Sequence, residues 1–470
     1  MKNNQIISQN NNFAGWYTSV IKEAKLAMYG SVKGTICFMP NGWAIWQNIV
    51  KIIDDEFQKI GVKNVQLPVF MKQNDFLKEK EHVKNFSPET FVAKAPNSSE
   101  VLIVRPTSEI AFCHCFKQLV GSYNDLPLLL NQWCNTFRVE KNTRPFLRTS
   151  EFYWQELHTL HSDEQQARSQ ALKSLEIYKK VLKDKLLIPF IAGRKTEGEK
   201  FAGAVDSYTL EALMPDGQAL QCSTSHYLGQ NFAKAYNLKF QTKNNDYQYC
   251  YQTSAGLSTR IIGALIMTHS DDNGLVLPFS IAPIQIGIVV LNDKTDKSTR
   301  NYVKKVCQNL IKKYRVVIDN NNNNKSIGYK INNFQVQGTP FVLVIGANEV
   351  MNKQVTIIRR DSNEKKVVIA AKFAPCLKKC IEHYDLDLYN KAKLRMSVNI
   401  VQVKNFQEFK QAINAKKMVK AYFKLSSVNE QKIKEMTGAT TRCIIENQPA
   451  NKCFYSGQET TDVVYFARAY

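Results

Sequence analysis

Residues 137–158, FRVEKNTRPFLRTSEFYWQELH, constrain this chain more than any other stretch. Three arginines, three glutamates and a tryptophan fall in two alternating runs split by a basic, proline-containing turn. The pattern predicts strand, loop and strand. Side chains two apart on a strand share a face, so Arg138 and Glu140 point together, as do Arg148, Phe152, Trp154 and Glu156 on the return. The result is a sheet floor carrying cations beside an aromatic wall. Guanidinium forks match phosphate oxygens in pairs and stay charged at every working pH, so a nucleoside triphosphate suits this floor. A hairpin whose arginines pair with its own glutamates on a solvated face fits the same spacing, and other stretches have to decide.

Four of them bear on the question. Trp46, Ile49, Ile53, Phe57 and Ile60 recur at spacings of three and four, which predicts an amphipathic helix after Gly42, over 42–61. It leads into GVKNVQLPVF, a short strand stopped by Pro68. VLIVRPTSE at 101–109 reads as a buried strand opening into a polar tip, where Thr107 and Glu109 can face one ligand, although taken alone the tip is more simply a turn with a helix cap at Ser108 and Glu109. Residues 205–232 read as two strands joined by the turn Pro215, Asp216, Gly217, then a polar loop in which Gln221, Thr224 and His226 crowd within six positions. A lone histidine is also an ordinary structural hydrogen bonder. GLSTR at 256–260 caps an apolar helix, with a strand expected after Asn273-Gly274. Arg260 then lies in the first helical turn, where free N–H groups and the dipole already favour an anion; a core helix with a surface arginine is the plainer alternative.

Composition limits the partners. The chain has 470 residues with 44% hydrophobic content, enough for two or three domains. Eleven cysteines without paired spacing fit reduced thiols. With no signal-like start and no apolar run of membrane-spanning length, the expectation is a cytoplasmic protein with no membrane partner. A net charge of +22 favours a polyanion such as RNA. His158 with His161, Cys113 with Cys115 and Cys376 with Cys380 lack the spacing of a structural metal site.

Taken together, these motifs resemble a family, the class II prolyl-tRNA synthetases, and most closely its archaeal and eukaryotic-type branch. Residues 35–70 are similar to the first class-defining motif and RPTSE at 105–109 to the proline-binding loop. PFLRTSEFYWQE at 145–156 is similar to the second motif. DGQALQ and TSHYLGQNF resemble the segment that closes over proline, and GLSTR with LVLP the third motif. The resemblance implies an α/β (α+β) fold: an antiparallel sheet with flanking helices, an α/β anticodon-binding domain and a small C-terminal α+β domain. The implied domains are 1–282, 283–385 and 386–470. ATP is implied as substrate at Arg138, Glu140, Arg148, Thr149, Gln221, Thr224, Ser258 and Arg260, with Mg2+ bridging its phosphates. L-proline is implied at Thr107, Glu109, Arg138, Trp154 and His226, with Arg138 and Arg260 catalytic and no protein nucleophile. The expected partners are tRNA(Pro) and a second copy in a homodimer, joined through the first motif and Pro68. Two alternatives stand beside this: a noncatalytic tRNA-binding paralogue, and a class II synthetase for another amino acid.

Beyond Pro283, IQIGIVVL, a helix near 297–314, YRVVID, FVLVIGA and VTIIRRD alternate as a separate α/β unit, with a solvated low-complexity insertion expected at 320–325. GYKINNFQVQGTP resembles the family's anticodon-domain segment, although Gln335, Gln337 and Val342 stand where charges are common. In the last unit TGATTRC, Cys453 and FARAY resemble the branch's zinc domain, but Lys424, Asn429, Cys453 and Ser456 occupy the four cysteine positions, and one thiolate cannot hold zinc. Ala255, Ser270 and Phe279-Ser280 are further departures. About a hundred residues separate Glu156 from Gly256, which leaves no room for an editing insertion.

Overall fold

The computed structural model describes residues 6–76, 89–291, 297–319 and 325–470. Most of the insertion expected at 320–325 therefore lies outside the described residues.

An eleven-stranded sheet carries the molecule. Its centre is antiparallel: Asp206–Leu213, Ala219–Gly229, Tyr251–Ser258, Glu151–His161 and Leu128–Phe137 follow one another, with Lys63–Asn64 parallel at one edge. The alternating run at 151–161 forms the strand its pattern predicts. Leu157 is buried among apolar neighbours below, while Trp154 lines a cavity above. The helices Pro40–Gln58 and Glu164–Asp184 close the lower face through Ile49, Ile53, Phe57, Tyr178 and Leu182. Pro40–Gln58 begins two residues before Gly42, because Pro40 has the fixed φ that a first helical turn accepts, and it ends before Ile60. Gly42 is needed there: a Cβ would stand 2.1 Å from the Leu26 carbonyl oxygen.

Two expected elements differ. The polar loop expected to follow the second strand of the pair around Gly217 is instead part of that strand, Ala219–Gly229, because neighbours on both sides satisfy its backbone whatever its side chains. The strand after Gly274 is absent; Leu275 makes a single bridge to Gln337, and Pro278, lacking an N–H, follows two residues beyond Val276.

A second, five-stranded sheet comprises Val316–Asp319, Ile286–Val290, Phe341–Ile345, Gln354–Arg359 and Lys365–Ile369, the first three parallel. Lys297–Ile311 and Ala370–Val398 cover one face through Val303, Cys307, Phe373 and Leu377. Ala370–Val398 is 29 residues long and passes straight through the expected boundary at 385/386. Its Tyr384 and Leu388 belong to this unit's core, its Met396 to the next.

In the C-terminal unit Asn451–Lys452 and Glu459–Thr460 pair by themselves, but Ile400–Gln402, Met418–Tyr422, Thr440–Ile445 and Val463–Ala467 do not form a separate sheet. They extend the central sheet, joined to it where Ile444 pairs with Arg194. Gly193 makes this close approach possible, since a Cβ would stand 2.6 Å from the Ile444 carbonyl oxygen.

Candidate active site

Two cavities open on the upper face of the central sheet. The first, about 130 Å³, is lined by Arg138, Glu140, Arg148, Thr149, Gln221, Thr224, Ser258 and Arg260, all eight of the residues expected at a nucleotide. The second, about 280 Å³, is lined by Thr107, Glu109, Arg138, Trp154 and His226, all five expected at an amino acid, together with Glu156, His158, Lys195, Glu199 and Phe201. Arg138, Trp154, Gln221, Thr224 and Gly256 belong to both, so the cavities meet along this line.

Strand register explains the convergence. Trp154 pairs with Ser258, Glu156 with Gly256 and Thr224 with Gly256, and directly opposed residues share a face. Thr224 and His226 are two apart and share it too, but Gln221 has the wrong parity. A bulge corrects this: Leu210 pairs with Ser223 but Glu211 with Gln221, leaving Cys222 as the extra residue.

The first cavity is electropositive. Three arginines line it against one carboxylate, Glu140, which lies 3.4 Å from Arg148. That pair is the self-paired hairpin alternative realised for one arginine only; Arg138 and Arg260 instead donate to the carbonyls of Pro106 at 3.0 Å and Leu147 at 3.1 Å. Burial, then the charges of Arg138 and Arg148, hold Arg260 below the ordinary guanidinium value. Crowded cations of this kind are stabilised by an incoming polyanion. Arg260 opens the helix Arg260–His269, with Ser258 Oγ accepting from the Arg260 N–H at 3.3 Å.

At the junction Arg138 stands over Phe152 at 5.3 Å and Trp154 at 5.5 Å from the ring centroids, an attraction that also fixes its plane. Burial lowers its pKa, and Glu109, Glu156 and Glu140 push it back.

The second cavity is acidic at its far end. Glu109 is the first residue of the helix Glu109–Leu119, and Thr107 donates to it. Burial raises its pKa, while Thr107, its own backbone N–H and Arg138 oppose the rise. Glu156 is held near 7 by burial and by Glu109, so this pair resists carrying two charges and one partner keeps a proton near neutrality. A carboxylate facing a space walled by the Trp154, Phe201 and His226 rings suits a small ammonium. His226 is neutral: burial, then Lys195, lowers it to about 3, and its Nδ1 meets Ser207 Oγ at 2.8 Å. Phe201 lies tilted against its ring at 4.9 Å.

His158, Lys195, Glu199 and Phe201 were missed by sequence reasoning. Residues 195–201 belong to no strand, so no periodicity marks their direction. His158, discounted with His161 as a metal pair, instead stacks on Phe112 at 4.1 Å, and burial takes it down to about 3. Of the departures from the family pattern, Ala255 lines the second cavity, Ser270 Oγ accepts from the Val276 N–H, and Ser280 Oγ donates to the Lys185 carbonyl.

No cluster of three metal-ligating side chains occurs among the described residues. Cys453 accepts from the Ser456 N–H at 3.4 Å, and neither Lys424 nor Asn429 offers a second thiolate, so the C-terminal unit does not fit zinc.

A cationic cavity that shares an arginine with an acidic pocket, on an antiparallel sheet, fits a class II tRNA synthetase core. Residues 91–269 match the family model of the tRNA synthetase class II core domain (G, H, P, S and T), 285–379 the anticodon binding domain, and 406–470 the prolyl-tRNA synthetase C-terminal domain. The chain is 48% identical to a proline–tRNA ligase of Malacoplasma penetrans, over 99% of this chain and 100% of the relative. It is 45% identical to that of Ureaplasma parvum, over 99% of both, and 43% to that of Mesomycoplasma hyopneumoniae, over 100% of both. The chain belongs to the prolyl-tRNA synthetase family.

Proposed function

We infer that this chain attaches L-proline to tRNA(Pro) at the expense of ATP. The observation that carries the reading is the shared edge of the two cavities, with Arg138 on it. A carboxylate entering from the acidic pocket and an α-phosphate entering from the cationic one meet there, and Arg138 neutralises both as they approach.

In this reading the proline ring lies between Trp154 and His226, its secondary ammonium facing Glu109 beside Thr107. The triphosphate lies along Arg148, Arg260 and Thr149, with Glu140, Gln221, Thr224 and Ser258 contacting the nucleotide. The proline carboxylate oxygen attacks the α-phosphorus, pyrophosphate leaves, and prolyl-adenylate remains. A terminal ribose hydroxyl of the tRNA then attacks the acyl carbon and AMP leaves. No side chain acts as nucleophile; the protein aligns the reactants and offsets developing charge. Glu140 is the one carboxylate lining the nucleotide cavity, so Mg2+ fits as a counter-ion that enters with the triphosphate.

The tRNA contacts fall to the units at 283–385 and 386–470, and the net charge of +22 supports a long polyanionic partner. We assign the chain to the archaeal and eukaryotic-type branch on the motifs of its C-terminal unit, and to the cytoplasm on its eleven free thiols. A homodimer is supported by the apolar surface cavity after Pro68, flanked by the half-exposed Phe70 and Leu119.

Pyrophosphate exchange across the twenty amino acids tests the reading. Proline should support exchange far above all others. Exchange with another amino acid at proline's rate, or with none, overturns it.

A further inference from the structure

Beneath the second cavity a buried carboxylate is bonded by a residue from the far end of the chain. We propose that Arg442, in the C-terminal unit, is a positioning residue for proline binding, acting through Glu211 on Lys195. The inference rests on the functional reading above and deepens it.

Glu211 shares the face of Thr209 and, across the bulge, of Gln221, so it lies under the two cavities, wholly buried. Arg442, on the strand Thr440–Ile445 of the same sheet, reaches it with two bonds to one oxygen, from Nε at 3.0 Å and Nη2 at 2.8 Å. Thr209 donates to the other oxygen at 2.8 Å, which leaves Lys195 a long 3.4 Å contact. Lys195 is 5% exposed and lines the amino-acid cavity. Two buried cations therefore share one carboxylate. Because Arg442 satisfies most of Glu211, the Lys195 ammonium, which also feels the Glu199 carboxylate on the same wall, is not tied down to Glu211 and lines the cavity, where it favours a substrate carboxylate. Without Arg442, the bare charge on Glu211 would draw the ammonium down and out of the pocket.

A second set of contacts holds the same wall. Arg194 pairs with Glu446, and Thr196 Oγ1 donates to Glu430 at 2.7 Å. From this clamped segment Phe201 N donates to Ser207 Oγ at 3.0 Å, the hydroxyl that also meets His226.

The experiment is proline- and ATP-dependent pyrophosphate exchange on the full chain with Arg442→Met, Arg442→Lys, Lys195→Met and the Arg442→Met/Lys195→Met double variant. Arg442→Met should raise KM for proline about tenfold, with KM for ATP and kcat within about twofold. Arg442→Lys should recover part of that loss. In the Lys195→Met background Arg442→Met should add nothing, since a relay has no second effect once its end is removed. Multiplicative effects, an unchanged KM for proline, or a loss confined to kcat would overturn the proposal. If the Met variants do not fold, reductive methylation of the wild type decides: proline should protect Lys195, and equal labelling with and without proline overturns it. A wild type inert in proline-dependent exchange sinks the parent reading and this one together, whereas an active wild type with insensitive variants sinks this one alone.

Discussion

Arg138 has to satisfy opposing demands, since it must be dry enough to act strongly on substrate yet remain charged. Burial lowers its pKa, and three carboxylates with two aromatic faces hold the cation in place. Arg138→Ala removes the one cation common to both cavities without emptying core volume. Pyrophosphate exchange should fall by about two to three decades, or about 3 to 4 kcal/mol of transition-state stabilisation, with an unchanged circular dichroism spectrum. Histidines give a pH signature. Burial holds His158 and His226 to about 3, and His161 and His269 to about 4, against 6.5 unfolded. Below pH 6.5 the unfolded chain takes up protons that the folded one refuses. Stability present above that value is therefore lost as pH falls, by at most about 1.4 kcal/mol per pH unit for each ring. Glu156, near 7, and Asp385, near 6, act in the opposite sense. Glu109 and Glu430, also raised by burial, add to that opposite sense; the four imidazoles outweigh these acids, so the urea midpoint should be lower at pH 5.5 than at 7.5. The arginines and Glu109 were legible in sequence because they sit in motifs, but Lys195 was not: its role depends on Glu211 and Arg442, residues that only the folded sheet brings beside it.

Among the elements, strands whose neighbours are close in sequence were legible and those joined at long range were not. The hairpin around Gly217 follows from its turn residues, yet its bulge at Cys222, which turns Gln221 toward the cavity, has no mark in the sequence. Nothing in the pattern announced that Thr440–Ile445 would meet Ile191–Arg194, since pairing across that distance leaves no local period. Gly193→Ala tests this seam. Its Cβ would meet backbone rather than a yielding side chain, so thermal unfolding should shift down by an amount equivalent to about 1 to 3 kcal/mol, as an overpacked core site does. The C-terminal unit should carry far less than one zinc per chain by elemental analysis, and chelator should leave its melting temperature unchanged. Its core is instead aromatic, built on Phe409, Phe423, Phe454 and Phe466.

At the scale of the whole molecule, fidelity and folding both follow from the arrangement of parts. Between Glu156 and Gly256 the chain builds only the strands and helices of the catalytic unit, so discrimination rests on the one pocket. Such a pocket separates apolar side chains differing by a methylene by only about 1 to 3 kcal/mol. Alanine should therefore be activated at a low, measurable rate, and alanyl-tRNA incubated with the purified enzyme should decay no faster than spontaneously. Changes of pattern pointed to three units, but nothing in them showed that strands from 400–467 would join the sheet of the first, or that a 29-residue helix would run from the second into the third. That shared sheet sets a timetable for synthesis. Glu446 is made 252 residues after Arg194, on the order of 10 to 50 seconds later at about 5 to 20 residues per second. Through that interval the nascent chain carries Ile191–Arg194 as an open strand edge, a template for pairing with other chains. A product arrested before residue 440 keeps that edge for good, which makes it a substrate for chaperones and proteases rather than a slower enzyme.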